Sequence, residues 1–273
     1  MEIIKYPDKS SYVTVDPKEK GKNIIFKINS YEDLWHLNQY VDALNNVGVT
    51  PHIIIPCLID AQADKRFANN QSSGLLLVTR LLNSMKATFT IFHPHNPEVL
   101  ESLMPNVKII NNTEYIKTVL KKLGQTDGTD ESMILMSSDA GGFKPLMNLC
   151  KELNWKGLTY SAAKHRSWSL ADGTKFIQEI GRRDFEKKDI LIIDDLCIYG
   201  GTFKGLSSIL RDRNVGNLYL ATTHATIQNL GDDPVTNYFD RVFFTNSKHD
   251  SYGTSDKSEE LKPIGNLDVL DLF

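Results

Sequence analysis

Residues 190–202 read Ile-Leu-Ile-Ile-Asp-Asp-Leu-Cys-Ile-Tyr-Gly-Gly-Thr. Four aliphatic residues run into two adjacent carboxylates, Asp194 and Asp195. A short loop follows with paired glycines, Gly200 and Gly201, and then Thr202. An unbroken apolar run of this length is the signature of a parallel strand buried on both faces. In open α/β sheets ligands bind at the carboxyl ends of such strands. The glycines let backbone N–H groups turn toward an anion, and the helix that follows adds its positive end. Carboxylates at the strand end accept hydrogen bonds from sugar hydroxyls or hold a hydrated cation. A phosphorylated pentose satisfies both halves of the segment. An ordinary strand–loop–helix junction, with Asp195 solvated and Thr202 as a plain N-cap, is the competing reading.

The rest of the chain supplies the sheet to which this strand belongs. Residues 23–28, 52–57 and 88–92 read as strands. Ser30 caps a helix whose apolar face carries Leu34, Leu37, Val41 and Leu44. Residues 74–85 and 113–123 are further helices, and residues 124–131 are polar, glycine-containing and suited to a linker. The alternation then restarts. Residues 133–136 form a strand, followed by a Gly-Gly turn and a helix with Leu146, Leu149 and Leu153. Residues 157–160, 190–193, 218–222 and 241–245 are strands, with a helix over 203–211. Residues 161–188 are polar and basic, as a mobile lid would be, and 247–260 read as a surface loop. The C-terminal residues 267–273 alternate like a strand returning toward the first domain. Alternating β and α units predict parallel sheets with helices on both faces. Two such runs predict two similar α/β domains, 1–130 and 131–273.

Composition narrows the function classes. The chain has 273 residues, 41% hydrophobic and 24% charged, enough for well-formed cores. Its 31 basic and 34 acidic residues give a net charge of −3, so nucleic acid is not the expected partner. No apolar run approaches the roughly 18–20 residues of a membrane span. Three cysteines, Cys57, Cys150 and Cys197, match no zinc spacing and predict free thiols in a cytoplasmic protein.

The acidic pair with its Gly-Gly-Thr turn resembles the phosphoribosyl-diphosphate motif of type I phosphoribosyltransferases and of the ribose-phosphate pyrophosphokinases. An ordered set of further segments resembles the second family over nearly the whole chain. Tyr6-Pro7-Asp8 is similar to its Phe-Pro-Asp start, and 55–66 to its strand and nucleotide loop. His93-Pro94-His95-Asn96-Pro97 stands where the family has Asp-Leu-His-Ala-Pro. Ser138-Asp139-Ala140-Gly141-Gly142-Phe143-Lys144 resembles its Pro-Asp-Ala-Gly-Gly-hydrophobic-Lys segment, and Lys164-His165-Arg166 its Lys-x-Arg loop. Residues 221–224 and 245–246 resemble its Ala-Thr-His and Thr-Asn signatures.

The resemblance implies two phosphoribosyltransferase-like domains and transfer of a diphosphoryl group from ATP to the anomeric hydroxyl of ribose 5-phosphate. It implies ATP contacts from Gln62, Asp64 and His95, with Mg²⁺ held at His95 and Asp139. Gly141 and Gly142 would admit the diphosphate. Asp194 and Asp195 would hold the ribose hydroxyls, and Tyr199, Gly200, Gly201 and Thr202 the 5-phosphate. Lys164 and Arg166 would be the catalytic cations. It also implies a homodimer or higher homo-oligomer.

The chain departs from the family in two loops. Gln62-Ala63 replaces Arg-Gln before Asp64, which removes a guanidinium from the nucleotide loop; Phe67 is a candidate base contact. Ile198-Tyr199 replaces Asp-Thr beside the phosphate turn, which reads either as local repacking around ordinary ribose 5-phosphate or as room for an acceptor extended beyond the 5-phosphate, such as ADP-ribose. The chain also stops short of the family's usual C-terminal helix. A phosphoribosyltransferase and a non-catalytic, synthetase-like subunit are the competing classes.

Overall fold

The protein is described here by a computed structural model that covers all residues except 17, 19–22, 67, 126–131, 170–172 and 256–261; the side chains of 164–169 and 173–179 are likewise outside the description. Phe67 and most of the expected linker therefore lie outside the described residues. The chain divides into two compact units, Met1–Asn112 with Phe273, and Thr113–Leu272.

The first unit begins with an antiparallel pair, β1 (Glu2–Lys5) and β2 (Ser11–Thr14). Four parallel strands follow in the order β3 (Asn23–Ile25), β4 (His52–Ile55), β5 (Thr88–Phe92) and β6 (Lys108–Ile110). The crossovers are α1 (Tyr31–Asn46), α2 (Gly74–Ser84) and α3 (Pro97–Leu103). A capping box starts α1: the Ser30 hydroxyl accepts the Asp33 N–H at 3.1 Å, and Asp33 Oδ2 accepts the Ser30 N–H at 2.9 Å. Leu34, Leu37, Val41 and Leu44 are buried against Ile53, Ile55 and Ile91, as the helical spacing required.

The second unit opens with α4 (Thr113–Lys122) and continues with β7 (Met133–Ser137), α5 (Phe143–Leu153), β8 (Thr159–Ser161), β9 (Ala163–Ser169), β10 (Gly173–Glu179), β11 (Asp189–Cys197), α6 (Gly201–Arg211), β12 (Leu218–Ala225), β13 (Arg241–Thr245) and β14 (Leu267–Leu270). Six strands form one sheet, β14-β13-β12-β11-β7-β8, parallel throughout. Ile190, Leu191 and Ile192 in its middle are fully buried, the condition that an unbroken aliphatic run anticipates.

The structure revises four local readings. The division falls before α4 rather than near residue 130. Tyr115, Ile116, Val119 and Leu120 give α4 an apolar face that shares a core with Leu135, Leu146 and Phe243. Strands β9 and β10 pair antiparallel, with Lys164 in register with Gln178 and Arg166 with Phe176, within the segment expected to be a polar lid. Strand β11 continues through Asp194 and Asp195 to Cys197, because β12 pairs with it as far as Ala225. The expected surface loop begins buried, at Ser247 and Lys248, and Tyr252 is buried too. In addition, β14 pairs with β13 in the second unit, and Phe273 is grouped with the first. Among the described residues no helix is long and apolar enough to cross a membrane.

Tyr115 ties α4 to the sheet. Its fully buried hydroxyl lies 3.0 Å from the Thr222 carbonyl oxygen and 2.8 Å from that of Phe243, and donates into this pair. Tyr115→Phe leaves both carbonyls without that donor. Urea denaturation should show a loss of about 1–2 kcal/mol, and an unchanged midpoint would remove the hydroxyl from the account.

Candidate active site

The chemistry-bearing residues of the second unit collect at the carboxyl ends of its strands. From β7 the chain crosses through α5 to β8 on one side. From β11 it crosses through α6 to β12 on the other. The direction of winding reverses between β7 and β11, which is where an open α/β sheet leaves a crevice for ligands. Ser137 is in register with Ile193, so Ser138 and Asp194 follow side by side. The Ser138 hydroxyl donates to Asp194 Oδ2, and the Asp195 N–H donates to Asp194 Oδ1 at 2.8 Å. The structure thus brings together the acidic pair and the start of the Asp-Ala-Gly-Gly loop.

Burial and the negative charge of Asp195 push the Asp194 carboxyl up to about 7; the donors from Ser138 and the Asp195 backbone oppose this more weakly. The consequence for stability has a definite sign. In the unfolded chain this carboxyl ionises near 3.8, while in the fold it holds its proton to about 7. The folded state therefore binds more protons across that window, and the group's contribution to stability falls as pH rises through it. Asp194→Asn removes the penalty and keeps both hydrogen bonds, with the amide donating to Ser138. The variant should be more stable than the parent at pH 8 by on the order of 2 kcal/mol and lose this advantage near pH 4. Thermal melts at the two pH values test it; an equal or lower melting temperature at pH 8 contradicts it.

The phosphate turn is built from backbone. Gly200 is the N-cap of α6, with φ +74°, and a Cβ there would sit 2.7 Å from Val235 Cβ. That conformation favours glycine, and the close approach to Val235 reinforces the requirement. No side chain caps α6, and a helix start of that kind is suited to an anion. Thr202 lies in the first turn, and Gly200 rather than Thr202 is the N-cap. Ile198 and Tyr199 project outward, 46% and 78% exposed, so neither packs into the turn.

The loop after β7 has a similar design. Asp139 Oδ1 accepts the Gly142 N–H at 3.0 Å, and the Asp139 carbonyl accepts hydroxyls from Ser137 at 2.9 Å and Ser161 at 3.0 Å. Gly141 and Gly142 leave little room for side chains: a Cβ at Gly142 would meet Ser137 Cβ at 3.2 Å. Helix α5 also begins without a side-chain cap. Asp139 Oδ2 has no hydrogen-bond partner among the described residues and is open to a cation. Among those residues no three His, Cys, Asp or Glu side chains cluster as a metal cage. One open carboxylate oxygen fits Mg²⁺, which keeps several waters and takes few protein ligands beside phosphate oxygens.

In the first unit the loops after β4 and β5 meet. Asn96 Nδ2 donates to Asp64 Oδ2 at 3.3 Å, and Asn96 also N-caps α3. Asp64 and His95 are thereby brought into neighbouring loops at one edge of the sheet; His95 and Gln62 are exposed there. The side chains of Lys164 and Arg166 lie outside the described residues; their backbone belongs to β9.

Several polar residues at the carboxyl edge of the second sheet were not assigned a role from sequence. His224 Nδ1 lies 2.9 Å from Ser247 Oγ, and Thr245, Asn246, Ser247 and Lys248 are buried at the ends of β12 and β13. The available signal was position: polar residues directly after apolar strands. Ser138 gave no signal, because nothing in the sequence specifies that it faces Asp194.

No family model matches the chain. The ribose-phosphate pyrophosphokinase of Pyrococcus abyssi is 26% identical over 253 residues, covering 90% of this chain and 84% of that protein. That of Thermococcus kodakarensis is 23% identical over 251 residues, covering 90% and 85%. The crystal structure of phosphoribosylpyrophosphate synthetase from Mycobacterium smegmatis superposes with a TM-score of 0.76 at 19% identity, covering 99% of this chain and 85% of that one, a likeness of fold. Parallel sheets with an acidic pair, a glycine-capped turn and an Asp-Ala-Gly-Gly loop at the carboxyl edge define an α/β protein with the fold of that synthetase. Over most of its length the chain is similar to the ribose-phosphate pyrophosphokinases.

Proposed function

We propose that the protein transfers the diphosphoryl group of ATP to the anomeric hydroxyl of ribose 5-phosphate, giving phosphoribosyl diphosphate and AMP. The observation that carries this reading is the junction of the acidic pair with the Asp-Ala-Gly-Gly loop at the switch point, beside the start of α6. A sugar hydroxyl acceptor and a phosphate need those groups. The anomeric oxygen attacks the β-phosphorus of ATP, the bond from that phosphorus to the α–β bridging oxygen breaks, and AMP leaves. The hydroxyl proton passes to solvent. Such a transfer depends on alignment and charge neutralisation more than on covalent help.

Asp194 and Asp195 take the ribose hydroxyls, and Gly200, Gly201 and Thr202 supply N–H groups to the 5-phosphate. Gly141 and Gly142 admit the diphosphate. Gln62, Asp64 and His95 belong to the nucleotide, and Lys164 and Arg166 supply positive charge to the transferring group. Mg²⁺ would neutralise phosphate charge; Asp139 would offer it a carboxylate oxygen and His95 would be a candidate ligand on the nucleotide side. Assembly as a homodimer or larger homo-oligomer and a cytoplasmic setting belong to the same proposal.

The extended acceptor suggested by Ile198 and Tyr199 has no support among the relatives, whose names specify ribose phosphate. Incubation with Mg-ATP and ribose 5-phosphate should release AMP and a product heavier by one diphosphate, identified by mass. Parallel reactions with ADP-ribose, and with added bases, complete the test. AMP released only with ADP-ribose would overturn the acceptor. Base-dependent loss of diphosphate would indicate a transferase, and no AMP under any condition a non-catalytic subunit.

A further inference from the structure

Ser138 lies directly beyond β7, buried, between the strand and the Asp139 loop. Its hydroxyl crosses from the β7 loop to strand β11 and donates to Asp194 Oδ2. Asp194 Oδ1 is held by a donor from its own strand, the Asp195 N–H at 2.8 Å. Two donors from two different elements therefore fix the plane of one carboxylate. Each oxygen keeps further lone-pair capacity, since an ionised carboxylate has about four acceptor sites.

Without the Ser138 hydroxyl, Oδ2 loses the donor that reaches it from the β7 loop, and a partly buried carboxylate oxygen beside a second acid would turn away from its place. Ser138 also stands where the related signature carries proline, which has no hydroxyl to donate. We infer that Ser138 is a positioning residue for the acceptor: it holds Asp194 in the orientation in which the Asp194–Asp195 pair receives the ribose hydroxyls. Sugar recognition is thereby tied to the loop that carries Asp139. The inference rests on the pentose-phosphate reading of this site.

The test is a split between KM and kcat in the full-length protein. Ser138→Ala should raise KM for ribose 5-phosphate about tenfold or more, as expected for loss of a charge-assisted hydrogen bond. KM for ATP and kcat at saturating acceptor should stay near parental values. Ser138→Thr, which restores a hydroxyl, should bring KM for ribose 5-phosphate back. If Ser138→Ala does not fold, Ser138→Cys, similar in size with a weak donor, should give the same selective rise. An unchanged KM for ribose 5-phosphate, or an equal rise for ATP, overturns the inference, as does failure of threonine to rescue.

Calorimetric binding of ribose 5-phosphate separates this outcome from failure of the proposed activity. A parent protein that binds ribose 5-phosphate but releases no AMP sinks the activity; a selective affinity loss in Ser138→Ala then still supports the positioning role. A parent that does not bind ribose 5-phosphate overturns both.

Discussion

Gly200→Ala is expected to destabilise the protein by roughly 2–5 kcal/mol and to abolish measurable binding of ribose 5-phosphate. The two parts of the cost are separable. Gly200 has φ +74°, where an L side chain is strained by about 1–2 kcal/mol. Its Cβ would also lie 2.7 Å from Val235 Cβ and 2.8 Å from Val235 Cγ2, so Val235 or the turn must move, at a further 1–3 kcal/mol or so. Val235 is fixed in the core of the second unit with Phe203 and Leu206, and gives way poorly. Helix α6 is capped at this residue, so any relief by movement of the turn shifts the start of the helix. Urea denaturation and the KM for ribose 5-phosphate are the measurements. Adding Val235→Ala should recover part of the stability while leaving the backbone strain. A single variant with parental stability and KM would show that the turn is not held as described.

Lys164→Ala is expected to lower kcat by about two to three orders of magnitude, equivalent to roughly 3–4 kcal/mol of barrier, with KM for both substrates little changed. A cation that meets charge only as it develops contributes to the transition state and not to ground-state binding. Lys164 pairs in register with Gln178 in the β9–β10 pair, so alanine there leaves the backbone ladder in place. Arg166, two residues along the same strand, should show the same direction of effect. Rapid-quench measurement of AMP formation isolates the transfer step. Near-parental turnover in Lys164→Ala would remove that residue from the reaction, and a loss confined to KM would make it a binding group.

The contrast with Asp194→Asn is informative. That change is expected to stabilise the fold at pH 8, since it removes a carboxyl that burial and Asp195 push up to about 7. Two acids gathered at a sheet end carry a stability cost, a pattern that clusters at functional sites. Ser138 reduces that cost by donating to Asp194.

The legibility of this chain differs by element. Strand β11 was readable because residues buried on both faces must be apolar throughout, and 190–193 are. Helix α1 was readable because its cap and its apolar spacing are local properties, each confined to a few residues. The β9–β10 pair was not, because its strands carry charged and polar residues and are held by each other rather than by a sheet core. Helix α4 was legible as a helix but not as part of the second unit. Its placement depends on Tyr115 finding carbonyls of residues 222 and 243, more than a hundred residues away.

The site divides along the same line. The types of residue were written in the sequence by itself: an acidic pair, two glycine turns and an Asp before one of them. Their order and the resemblance they carry fixed the chemical class. Only the tertiary structure decided that winding reverses between β7 and β11, that Ser138 meets Asp194 there, and that Gly200 rather than Thr202 caps α6. The physical reason is that burial pattern, capping and glycine freedom act over a few residues and leave a local trace. Strand order and side-chain contact between distant segments are set by packing of the whole sheet, which leaves no trace at any single position.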